Sequence, residues 1–252
     1  MKTIKQSIRD LIRKIGYDVS RYNPKELGRD PFRDMKFFLN SLNCPVIFDV
    51  GANIGQSVDS FRQTFPDSLI HSFEPSPGTY SKLREHCNGL NGVKTWNCGI
   101  GSSQAILPFL ENDNSDMSSF LAPGKFCWGK LDKTTNVKVL TVDEFAREQD
   151  VKFVHILKSD TQGYELEVFK GAEGLMKENR IGLIYFEYIF SEMYKDLPSF
   201  DEVFRFLLEH NFALVSFYQP HFQQDILSWT DVMFINVEYN RQRIEQNAAA
   251  NA

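Results

Sequence analysis

The chain has 252 residues, with 28 Lys and Arg against 33 Asp and Glu, for a formal charge of −5. With 42% hydrophobic residues and 22 Phe it can bury a substantial core, which excludes general disorder. The acidic balance argues against a nucleic-acid binder, whose affinity rests on Lys and Arg neutralising phosphates.

Residues 1–22 predict a helix with Ile4, Ile8, Leu11, Ile12 and Ile15 on one face and Lys2, Lys5, Arg9, Arg13 and Lys14 on the other. Such a basic amphipathic helix either packs on the main domain or a second subunit, or rests peripherally on an anionic membrane. The same charges leave no apolar stretch for a secretory leader, and the most apolar run, residues 181–190, is about half a membrane span and contains Glu187. Cys44, Cys87, Cys98 and Cys127 form no CxxC pair, and the five histidines form no HxxxH, so reduced thiols, no metal and a cytoplasmic location are expected. Asn23-Pro24 predicts a turn, and Asp30 with Pro31 opens a second helix through residue 42.

From residue 45 short apolar strands alternate with helices. VIFDV (46–50) is the first strand, followed by the turn GANIG and a helix over about 54–65 that Pro66 stops. LIHSFE (69–74) is the second, followed by a helix that Ser76-Pro77 caps, and VKTWNCGI (93–100) is the third. Residues 105–110 are a possible sheet extension, and 111–136 read as a long surface loop. Thr141 and Glu144 form a capping box. FVHILKSD (153–160) and IGLIYFE (181–187) are the fourth and fifth strands, separated by a helix through residue 176. Ser199 and Glu202 form a second capping box. The segments 213–218 and 231–236, with 12 residues and no helical period between them, predict an antiparallel pair joined by a loop. The tail 240–252 reads as disordered. The domain plan is a helical extension over 1–44, an α/β domain over 45–239 built on a mostly parallel sheet with an antiparallel last strand, and the tail.

In such a sheet ligands bind beyond the carboxyl ends of the strands, which here carry Asp49, Glu74, Asn97, Asp160 and Glu187. The first turn lacks the second glycine of the dinucleotide fingerprint, having Ala52 and Asn53 where a backbone would approach a pyrophosphate. Asp49 before the turn suits a cationic ligand with an amino group, and Glu74 is placed to grip a ribose diol. The combination favours S-adenosylmethionine over NAD.

VIFDVGANIG (46–55), FEPSP (73–77), TVDEF (141–145), ILKSDTQGYELEVFKGAEGLM (156–176) and FEYIFSEMY (186–194) together resemble the FkbM-type S-adenosylmethionine-dependent methyltransferases. The resemblance covers residues 46 to about 236 and implies a class I (Rossmann-like) methyltransferase fold. It also implies O-methylation of a sugar unit in a glycan or glycolipid, or of a natural-product hydroxyl. By the same resemblance Asp49, Gly51, Ala52, Asn53, Ile54 and Gly55 hold the methionine portion of the cofactor. Glu74 and Pro75 hold the ribose, and Asn97 and Cys98 lie near the adenine.

Transfer to a hydroxyl needs in-line placement and a base. Asp160 is the first candidate, with helix capping as its alternative role. Gln162 is placed to orient an acceptor hydroxyl. Lys158, in an apolar strand, needs a buried partner, and Glu187 is the expected one, forming the floor of the site and a second candidate base. Glu165 reads as a cap. Trp128, His221 and Trp229 are candidates for stacking on a sugar ring. The other function class compatible with these residues is a non-catalytic cofactor- or glycan-binding domain on the same fold.

Overall fold

Residues 4–17, 19, 23, 26–40 and 42–250 are described in the computed structural model. In chain order they form α1 (Ile4–Lys14), α2 (Pro31–Phe38), β1 (Val46–Val50), α3 (Gln56–Thr64), β2 (Leu69–Phe73), α4 (Pro77–His86), β3 (Val93–Trp96), β4 (Gly99–Ile100) and β5 (Ala105–Asn112). A 3-10 turn at Ser115–Met117 precedes β6 (Leu131–Leu140), α5 (Val142–Glu148), β7 (Val154–Ser159), α6 (Glu165–Lys170), α7 (Glu173–Lys177), β8 (Ile181–Ile189), α8 (Phe200–Glu209), β9 (Phe212–Gln223), β10 (Ile226–Asn236) and α9 (Val237–Ala250).

A seven-stranded sheet has the order β3-β2-β1-β7-β8-β10-β9. Its first five strands are parallel, and β10 runs antiparallel to both β8 and β9. The chain leaves β1 toward β2 on one side and returns at β7 on the other, so the switch point lies between β1 and β7.

Alternate strand residues feed two apolar layers, because successive side chains point to opposite faces. Phe48, Leu157, Ile184, Phe186, Val232 and Phe234 face the layer under α5, α6, α7 and α8. Ile47, Ile70, Ile156, Leu183, Met233 and Ile235 face the layer under α2, α3 and α4. Phe48, Phe61, Phe145 and Phe169 are fully buried, each contributing about 1.5–3 kcal/mol of burial free energy. Three of the helix starts are capped as the sequence predicts, the one at Ser76 by its Oγ accepting from the Thr79 N–H at 3.4 Å. Asp30 accepts from the backbone N–H of Phe32 (2.9 Å) and Arg33 (3.2 Å), and Thr141 Oγ1 accepts from Glu144 N–H at 3.0 Å.

Several expectations are corrected. The predicted third strand divides: β3 joins the main sheet, while β4 belongs to a separate three-stranded sheet ordered β4-β6-β5. That second sheet takes up residues 105–110, and most of β6 lies in the predicted surface loop. Its residues 131–134 are all exposed, so they carry no apolar alternation that would identify a strand. The helix predicted through residue 176 breaks into α6 and α7 at Gly171 and Ala172, where Gly171 packs so closely on the carbonyl oxygen of Gly101 that a Cβ would collide with it. Ser199 precedes α8 but its side chain makes no capping bond, so the second capping box does not form. β9 and β10 continue through the predicted loop 219–230 to a two-residue turn at Gln224 and Asp225, both at positive φ (50° and 63°). That geometry usually takes Asn-Gly, so Gln-Asp gave no turn signal. Residues 240–250 are helical in α9. α1 ends at Lys14, short of the predicted helix; residues 1–3, 18, 20–22 and Pro24 of the predicted turn lie outside the described residues.

Candidate functional site

The carboxyl ends of β1, β2, β7 and β8 converge on a cleft of about 280 Å³. Its lining includes Gly51, Asn53, Glu74, Pro75 and Cys98 together with Asp160, Gln162, Glu187, Trp128 and Trp229. A second, polar cavity of about 310 Å³ adjoins it and also reaches Asn53, Asp160 and Glu187, together with Ala52, Lys158 and Asp231.

The glycine turn is held against the β7 end. Gly51 has φ +73°, and a Cβ there would run into the carbonyl oxygen of Asp160. Any side chain at this position would push the turn away from the residue that ends β7.

Register explains where the charges pair. Asp49 on β1 lies directly beside Lys158 on β7, which in turn lies beside Tyr185 on β8. Lys158 Nζ therefore sits 3.0 Å from Asp49 Oδ1 and donates to the Gly51 carbonyl at 2.8 Å, with Asp160 Oδ2 at 3.9 Å. The expected Lys158–Glu187 pair does not form, because Glu187 lies two residues beyond Lys158's neighbour. Asp49 is fully buried, and its second oxygen accepts from Ser57 Oγ (2.7 Å) and Ser72 Oγ (3.3 Å). Its carboxylate is thus engaged inside the sheet and lines neither cavity.

Glu74 is buried at the end of β2. Its Oε2 accepts from the Asn53 N–H (3.1 Å) and its Oε1 from the Ser76 N–H (2.9 Å), which leaves each oxygen a lone pair for a diol. Burial pushes its pKa up to about 8 against those hydrogen bonds. Asn53, at φ 46°, donates its side-chain amide to Asp116, while its buried Oδ1 has no protein partner. Cys98 is buried, and burial pushes its thiol up to about 12, so it serves as an apolar wall. Asn97 lines neither cavity: its amide donates to the carbonyls of Glu74 (2.9 Å) and Pro75 (3.0 Å) and ties down the loop after β2. Ile54 is exposed, and Gly55 precedes α3.

Asp160, Gln162 and Glu187 form one cluster. Gln162, at φ 57°, donates from Nε2 to Asp160 Oδ1 and to Glu187 Oε1, each at 3.0 Å, and its Oε1 accepts from Tyr194 OH at 2.9 Å. Burial, then the charges of Asp160 and Asp231, push Glu187 well above the ordinary carboxylate range. The Asp160 side chain is 41% exposed and open to an incoming molecule. Glu165 accepts from the N–H and hydroxyl of Thr161 (2.8 and 2.9 Å), capping the segment as expected. At the mouth, His221 stacks on Trp229 (4.7 Å between centroids, 6° between planes), and Trp128 lies 5.7 Å from Trp229. His221 itself lines neither cavity.

Asp116, Tyr194 and Asp231 escaped the sequence reading. Tyr194 falls within the FEYIFSEMY block and was legible as part of it. Asp116 sits in a loop and Asp231 on a strand predicted for packing, where nothing local marks a site.

The buried groups set a pH dependence. Burial lifts Glu74 to about 8 and Glu165 to about 7, and holds His71 and His155 down at about 4. The histidines add stability as pH rises from about 4 to 6.5 and nothing beyond it. A carboxyl raised on folding keeps a proton that the unfolded chain has released, so its contribution is lost as pH rises through the folded value. Between pH 6.5 and 8 the cofactor-free protein is expected to lose about 1–2 kcal/mol, mainly because folded Glu74 still holds a proton that the unfolded chain has released, and to level off above pH 8. Chemical denaturation across that interval tests this; a midpoint that stays level or rises overturns it.

The family model described as "Methyltransferase FkbM domain" matches residues 49–214. The chain is 25% identical over 183 residues to the 2-O-methyltransferase NoeI of Sinorhizobium fredii, covering 64% of this chain and 74% of that protein. It is 30% identical over 127 residues to the hexuronic acid methyltransferase AglP of Haloferax volcanii, covering 50% of this chain and 49% of that protein. Among solved structures, an rRNA methylase from Streptococcus thermophilus superposes with a TM-score of 0.47 at 12% identity, covering 82% of this chain and 97% of that chain.

Proposed function

Because this chain belongs to the FkbM methyltransferase family, with its class I fold and S-adenosylmethionine as methyl donor, we propose that it methylates a hydroxyl oxygen of a sugar unit. The observation that carries this reading is the Asp160–Gln162–Glu187 cluster opening on the same cleft as Glu74, with Trp128 and Trp229 in its lining. The names of NoeI and AglP, an O-methyltransferase and a hexuronic acid methyltransferase, support the acceptor class.

The cleft suits the cofactor. Glu74 has one lone pair left on each oxygen for the ribose hydroxyls, and the unpartnered Asn53 Oδ1 is an acceptor for the amino group. Phe73, Cys98, Ile100 and Phe109 provide apolar walls for the base. Asp49 acts from behind the turn, through Lys158, and not by contact. When bound, S-adenosylmethionine supplies a methyl group on a positively charged sulfur, already activated for displacement.

The protein's work is then placement and proton removal. Trp128, and the face of Trp229 that His221 leaves open, offer flat apolar surfaces on which a sugar ring can stack. Asp160 receives the proton of the acceptor hydroxyl as that oxygen takes the methyl group. Gln162, itself oriented by Tyr194, fixes the Asp160 carboxylate through Oδ1. Glu187 keeps its proton to higher pH than an ordinary glutamate and hydrogen-bonds the same hydroxyl or its neighbour.

Incubating the purified protein with isotope-labelled S-adenosylmethionine and a panel of glycans tests the reading. A labelled methyl ether stable to mild alkali is expected, whereas label in an alkali-labile ester or on nitrogen overturns it. Glu74→Ala is expected to weaken cofactor binding by about 2–3 kcal/mol with the fold intact, since charge-assisted bonds to the ribose are lost. Wild-type affinity should tighten as pH rises through about 8, because the ribose hydroxyls need an ionised Glu74. Titration calorimetry reads both, and an unchanged dissociation constant in the variant removes Glu74 from the site.

A further inference from the structure

The methyl-transfer site makes no use of α1. Its sequence, IKQSIRDLIRK, sets Lys5, Arg9, Arg13 and Lys14 against Asp10, a charge of +3, which leaves −8 for the rest of a chain whose total is −5. Ile8, Leu11 and Ile15 recur at helical spacing and are 53%, 64% and 69% exposed, and the exposed Tyr17 and Val19 continue the apolar surface. Among the described residues, no member of α1 belongs to any of the three apolar clusters of the protein. The main domain therefore leaves Ile8, Leu11 and Ile15 uncovered, contrary to the expectation that the helix packs on it.

Charge selects what covers them. Lys5 and Lys14 flank the apolar stripe on one short helix, so the surface that suits it accepts apolar side chains and supplies negative charge at the same depth. A lipid surface with anionic headgroups does both: the stripe enters the boundary of the acyl chains while Lys and Arg remain among the headgroups. Pairing α1 with the α1 of a second copy would set +3 against +3. At 11 residues the helix is too short to span a bilayer, and among the described residues no helix is long and apolar enough to do so. We propose that α1 lies in the plane of an anionic membrane and holds the protein at its surface. The proposal does not rest on the methyl-transfer reading, and either can fail without the other.

Flotation of the full chain with vesicles of phosphatidylcholine, alone or mixed with phosphatidylglycerol, provides the test. Binding to the mixed vesicles is expected at low salt, with little on phosphatidylcholine alone and a marked loss at high salt. Leu11→Glu should weaken partitioning about ten-fold or more by removing apolar burial. The double change Lys5→Glu with Lys14→Glu should abolish the preference for anionic lipid. Binding of S-adenosylhomocysteine by each variant checks that the main domain is intact. Absence of binding to the mixed vesicles overturns the proposal, as does equal binding to both lipids. Light scattering that shows a dimer dispersed by Leu11→Glu, with no vesicle binding, also overturns it and assigns the face to a second copy.

Discussion

Single-turnover methyl transfer by Asp160→Asn is expected to fall about 10²–10⁴-fold at saturating cofactor, the usual worth of a positioned base. The substitution keeps the size of the side chain and the oxygen that accepts from Gln162 Nε2, so the cluster geometry should persist. Cofactor affinity should change little, because the Asp160 carboxylate pairs with Gln162 and Lys158 and not with Glu74 or Asn53. Glu187→Gln is expected to lose only a few-fold, since burial and the neighbouring charges already favour the neutral form that Gln imitates. The contrast between the two variants is the informative measurement. A large loss in Glu187→Gln with near wild-type rates in Asp160→Asn would transfer the base role to Glu187. Similar small losses in both would leave Asp160 as a structural residue beside the turn.

Lys158→Met is expected to destabilise the fold by about 3–5 kcal/mol, because it strands a buried carboxylate. The partner is Asp49, 3.0 Å away and wholly buried, and the same ammonium also holds the Gly51 carbonyl. Adding Asp49→Asn should recover much of the loss, since the neutral amide can still accept from Ser57 and Ser72. Adding Glu187→Leu instead should recover nothing. Denaturant midpoints of the two double variants decide the pairing, and additive losses in the Asp49 pair would show that the two residues do not stabilise each other. Because Lys158 ties β7 to the cofactor turn, the single variant should also bind cofactor more weakly where it remains folded.

Helix caps, strand cores and the glycine turn were legible because each is written in neighbouring residues. Asp30-Pro31 supplies a local acceptor and a preset φ, VIFDV is apolar and β-branched, and GANIG ends it with the left-handed geometry that Gly51 requires. The mostly parallel sheet followed from the alternation of strands and helices, and the antiparallel last strand from the short connection before it. The motif blocks carried the family, and the sheet type gave the carboxyl ends of the strands as the expected place for a ligand.

Pairing across strands was not legible, because it depends on register, and a shift of one position changes every neighbour. Asp49 and Lys158 are 109 positions apart and meet only because β1 and β7 align them, while Glu187 misses Lys158 by two residues along β8. The same distance effect hid the orientation of Gln162 by Tyr194, the contact of Asn53 with Asp116, and the second sheet formed by β4, β5 and β6. By itself the sequence determined the strands and most helices of the main sheet and the fold class, since short-range sterics and hydrophobic period decide those. Tertiary structure alone decided which charges neutralise one another, which carboxyl keeps its proton and which faces remain uncovered, since these depend on burial and on neighbours brought together from distant parts of the chain.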